Sequence, residues 1–81
     1  MSLTLADVRR LTTDVAHQLD ASLDVLAAIP ATAGANYSEV MLMDRDEIEP
    51  SRFVIGVRRN ASEEDFRVEV KERLLQHLGD R

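Results

Sequence analysis

Apolar residues recur every three or four positions from the start of the chain: Leu5, Val8, Leu11, Val15, Leu19, Leu23 and Leu26. On a helix that spacing draws one continuous stripe. Thr4 is placed to cap it, and Asp7 three residues later completes an Asp form of the capping box. Leu3 and Val8 are spaced as a hydrophobic staple across the cap, and Asp7 complements the positive end of the helix dipole. Pro30 and the small residues of PATAGAN end the run, so the spacing predicts a helix over about 4–29. At 1.5 Å per residue that helix would be roughly 38 Å long. A compact domain of this length is only about 30 Å across. Either the helix breaks at Asp20-Ala21-Ser22, with Ser22 capping a second short helix, or a partner covers its overhang. The unbroken phase of the stripe favours the overhang.

The pattern then changes. Arg52 to Arg58 alternates, with Phe53, Ile55 and Val57 on one side and Val54 and Gly56 on the other, which predicts a strand over about 52–58. Tyr37 to Met43 predicts another over about 37–43. Its Val40-Met41-Leu42-Met43 run is apolar at every position, as in a strand covered on both faces. Joined by a short connection, the two pair most simply as an antiparallel hairpin. Beyond them, Phe66, Val68 and Val70 alternate, but Phe66, Val70, Leu74 and Leu78 also fall four apart. Ser62 followed by Glu63-Glu64-Asp65 is a helix start, Glu69 and Arg73 form a favourable i, i+4 pair, and Gly79 suits a C-terminal cap. Helix is the better reading, over about 63–78. The fold class is therefore α+β: residues 1–81 as one small domain, helix-strand-strand-helix, with an antiparallel hairpin packed against helices.

A hairpin alone is marginal and needs cover. A chain of 81 residues buries only about 60% of its unfolded surface, so burial in an oligomer adds what the core lacks. The expectation is a homodimer in which hairpins pair or stack. The rival is a monomer with one helix on each face of the hairpin.

Composition adds exclusions. The net charge of -5 opposes general nucleic-acid binding, which depends on phosphate neutralisation. The sparse aromatics near Arg52, Arg58 and Arg59 also offer no stacking platform. With no cysteine, thiol nucleophiles, disulfides and thiolate metal sites are absent, and a reducing cytoplasm is the expected setting. The start MSLTLADVRR lacks the pattern of a signal peptide, and no apolar run reaches the roughly 20 residues of a membrane span.

Candidate chemistry is thin. Asp44, Asp46, Glu47 and Glu49 open like a calcium loop. An EF-hand starting at Asp44 would need Gly at its sixth position and Glu at its twelfth, where this chain has Glu49 and Ile55. The segment reads instead as a solvated acidic turn that Pro50 closes before the next strand. His17 and His77 stand on different helices, and no metal or cofactor is expected. Ala21-Ser22-Leu23 lacks the Asp that precedes the carrier serine of acyl carrier proteins. Residues 51–59 carry three arginines, +3, beside 37–50, whose five acids and Arg45 sum to -4. That polarity suits steering a partner or holding hairpin register.

These readings favour a non-catalytic protein-interaction module that acts as a homodimer or on a protein partner, with Val40, Leu42, Val54, Arg58 and Arg59 at its surface. The alternative is a small ligand-binding or catalytic domain whose pocket forms at the dimer interface around Tyr37 and Glu39.

Overall fold

The computed structural model describes residues 3–30, 36–45 and 51–79. Helix α1 (Leu5–Leu19) is followed by three strands, β1 (Leu23–Pro30), β2 (Tyr37–Asp44) and β3 (Ser51–Arg58), and by helix α2 (Glu63–Gly79). The strands form one antiparallel sheet in chain order, β1-β2-β3. The class is α+β, as the pattern indicated, with one strand more than it indicated.

The extra strand comes from the second half of the expected 4–29 helix. Its start is as read: the Asp7 N–H donates to Thr4 Oγ1 at 3.1 Å, and the Thr4 N–H donates to Asp7 Oδ2 at 3.3 Å. The end is different. Asp20 adopts an extended backbone, φ -159° and ψ 115°. Its Oδ1 accepts the Ser22 N–H at 2.8 Å and its carbonyl accepts the Leu23 N–H at 3.1 Å. An Asp side chain that turns its own backbone in this way competes with helix continuation. Ser22 caps nothing, and no overhang exists: fifteen residues span about 22 Å, within a fold of 12.0 Å radius of gyration.

Period also explains the misreading. Val25 pairs with Leu42 and Ala27 with Met41, leaving Leu26 as an extra residue in a bulge. Without Leu26 the strand alternates: Leu23, Val25 and Ala28 turn to the helices, Asp24, Ala27 and Ile29 away. With it, the alternation breaks and the spacing looks helical.

Both helices pack on one face of the sheet, around a single core. Val8, Leu11, Val15 and Ala16 of α1 and Phe66, Val70 and Leu74 of α2 meet Leu23, Val40, Leu42, Ile55 and Val57 of the sheet. One helix on each face, the placement in the monomer rival, is therefore not what the chain adopts. Helix α2 begins at its Ser62 cap, whose hydroxyl accepts the Asp65 N–H at 3.2 Å. The helices are further linked by Arg10 to Glu63 at 3.2 Å and Arg67 to Asp14 at 3.3 Å. His77 stacks on Phe53, ring centroids 3.7 Å apart. Among the described residues, no helix is long and apolar enough to cross a membrane.

The helix-free face of the sheet as a candidate docking surface

Strand alternation turns one side chain in two away from the helices. Cross-strand pairing sorts these into rows. Asp24, Met43 and Arg52 form the first, Ala27, Met41 and Val54 the second, Ile29, Glu39 and Gly56 the third, and Tyr37 with Arg58 the fourth. The middle of this face is apolar and wet: Ile29 is 49% exposed, Met41 36% and Val54 53%. Ala27, Ile29, Glu39, Met41 and Val54 line a shallow dimple of about 80 Å³. Apolar side chains gathered in one patch point to an interaction site, where scattered ones would not.

The edges of the sheet are managed separately. On β3, the Arg58 N–H donates to Glu69 Oε1 of α2 at 2.8 Å, and its Nε reaches Glu69 Oε2 at 3.3 Å. A carboxylate thus occupies the donor another strand would need. On β1, the bulge at Leu26 and Pro30 at the strand end disrupt the other edge. Asp24, also on β1, is held by Arg45 at 2.8 Å. What remains open is the face.

The sequence-derived candidates scatter across this framework. Val40 and Leu42 are fully buried beneath the helices, so they belong to the core and not to an interaction surface. The apolar residues of β2 that face outward are Met41 and Met43. Val54 is exposed at the centre of the open face, as read. Arg58 is drawn around the β3 edge to Glu69, where it lines a charged cleft of about 650 Å³ with Asp65, Glu72 and Arg73. Arg59 is half-buried, its N–H donating to the Asn36 carbonyl at 2.6 Å and its carbonyl accepting the Leu3 N–H at 2.8 Å. Tyr37 lies opposite Arg58, and Glu39 opposite Gly56. Glu39 and Tyr37 share the open face but do not converge with Arg58 and Arg59 on one point. Ile29 was missed because β1 was read as helix, and for the same reason the face of Met41 on β2 could not be assigned.

Of the acidic turn, Asp46, Glu47 and Glu49 lie outside the described residues, and Asp44 is buried under the helices. Among the described residues no three His, Asp or Glu side chains are grouped to hold a metal. Comparison with protein-family models, curated proteins and solved structures found no match to this chain.

Proposed function

We propose that this chain is a small, acidic, non-catalytic protein-interaction module that works through the helix-free face of its sheet. The observation that carries the proposal is the set Ile29, Met41 and Val54, exposed together at the centre of that face. Covering the exposed part of one such side chain contributes about 1 kcal/mol, a gain that the finished fold leaves unused. The dimple between them is shallow and apolar, which suits side chains of another protein better than a polar metabolite. A reducing, cytoplasmic setting fits a chain without cysteine.

Affinity capture from a cell extract tests the face. Val54→Glu puts a charge at its centre, whereas Leu75→Glu puts the same charge on the outer side of α2, where Leu75 is 48% exposed. The face reading predicts capture that Val54→Glu abolishes and Leu75→Glu leaves intact. Equal capture by both variants would contradict it.

A further inference from the structure

We infer that the occupant of this face is a second copy of the chain, stacked sheet on sheet about a two-fold axis running along β2. This pairing presupposes the docking face proposed above and adds the partner and its orientation. Such an axis lays β2 over its copy, β1 over β3, and each cross-strand row over itself.

Shape favours that superposition. Ile29 and Gly56 flank Glu39 in one row. Ile29 projects into solvent, while a Cβ built at Gly56 would meet nothing within 4 Å. The axis brings each Ile29 over Gly56 of the other copy, a projection over a gap, twice. Charge favours it too. Asp24 and Arg52 flank Met43 in the first row, so each Asp24, already paired with Arg45 of its own copy, comes over Arg52 of the other copy as a second cation. Arg52 enters no ion pair among the described residues. Met41 meets Met41 at the centre, an adaptable contact. The cost is a single like pair, Glu39 over Glu39.

The other face-to-face stacking, with the axis across the strands, is worse. It lays β3 over β3, which takes Arg52 away from Asp24 and sets Met41 against the Glu39 carboxylate twice. Edge-to-edge pairing is obstructed by Glu69 and by the Leu26 bulge. Area limits the strength. Three strands about 4.8 Å apart and eight residues of about 3.4 Å present roughly 400 Å² per copy. Together that falls below the roughly 1,200 Å² of standard interfaces, so the pair belongs with weak, transient contacts.

Cysteine cross-linking reads the orientation directly, because the chain has no cysteine of its own. Stacked sheets lie about 10 Å apart, beyond the roughly 7 Å reach of a disulfide, so a short bis-maleimide bridges the thiols, and the single variants Ile29→Cys and Gly56→Cys are mixed so that no chain holds both. The mixture should therefore give a covalent heterodimer in preference to either homodimer, with peptide mass mapping placing the link between 29 and 56. Adding Glu39→Gln to both variants removes a like pair worth up to about 1 kcal/mol and should strengthen association roughly fivefold. Adding Val54→Glu should weaken it at least as much. Folded variants that give no 29–56 link overturn the pairing, as does a faster link between Tyr37→Cys and Met43→Cys variants, the positions joined by the crosswise stacking. If the link fails while capture still depends on Val54, the face stands with a different occupant. If both fail, both proposals fall.

Discussion

Two residues of α1 carry opposite lessons about single side chains. Asp7 is pulled down from the ordinary carboxylate range, chiefly by the Thr4 backbone N–H, then by the Thr4 hydroxyl and by Arg10. As pH falls, the unfolded chain therefore takes up its proton first. The contribution of Asp7 is complete above the unfolded value near 3.8 and is lost as pH drops through the lower folded one. Acid denaturation followed by circular dichroism should show a shallower loss of stability below pH 4 in Asp7→Asn than in the parent; identical acid limbs would contradict the linkage. Thr12 is the opposite case. It is fully buried and its hydroxyl has no hydrogen-bond partner among the described residues, which costs roughly 1–3 kcal/mol. Thr12→Val keeps the shape and removes the orphan, so the melting temperature should rise, by about 4–8 °C for each kcal/mol recovered. A fall would show that the hydroxyl is satisfied after all. The capping box was legible because it is local. The burial of Thr12 was not, since it depends on what α1 lies against.

At the scale of elements, short-range signals were reliable and the bulge was not. Helix α2 could be told from a strand by Ser62 and its acidic first turn, although Phe66, Val68 and Val70 alternate. Strand β1 was lost because Leu26 adds one residue to an alternating run, and a single sequence does not mark which residue is extra. That placement makes a specific prediction. Deleting Leu26 restores alternation from Leu23 to Ile29, so the shortened chain should still fold cooperatively and melt within several degrees of the parent. Collapse to an unfolded chain would refute the assignment of the bulge. The β3 edge yields another. Glu69→Ala leaves the Arg58 N–H without its acceptor, at a cost of about 1 kcal/mol, and hydrogen exchange at Arg58 should accelerate while exchange in β2 stays slow. Unchanged protection at Arg58 would mean that Glu69 does not guard the edge.

For the whole molecule, the balance between a thin core and an uncovered face is decisive. A domain of this size carries roughly 4–12 kcal/mol in total, and truncating a buried aromatic such as Phe66 to alanine would remove about 3–5 of it. The apolar face away from the helices is only partly buried, yet its central side chains are of the kind that fill cores. The need for a second cover was legible in the Val40-Met41-Leu42-Met43 run, which is apolar on both sides. Which half meets the helices was not, because that choice follows from β1 pairing with β2. The most direct test is a dilution series of amide proton–nitrogen spectra, from about 1 mM down to about 10 μM, spanning the weak association that the area allows. Resonances of Ala27, Ile29, Glu39, Met41, Val54 and Gly56 should shift together with concentration while those of Val68 and Leu75 on α2 hold still. A face that stays silent across the series, or shifts confined to α2, would contradict the account.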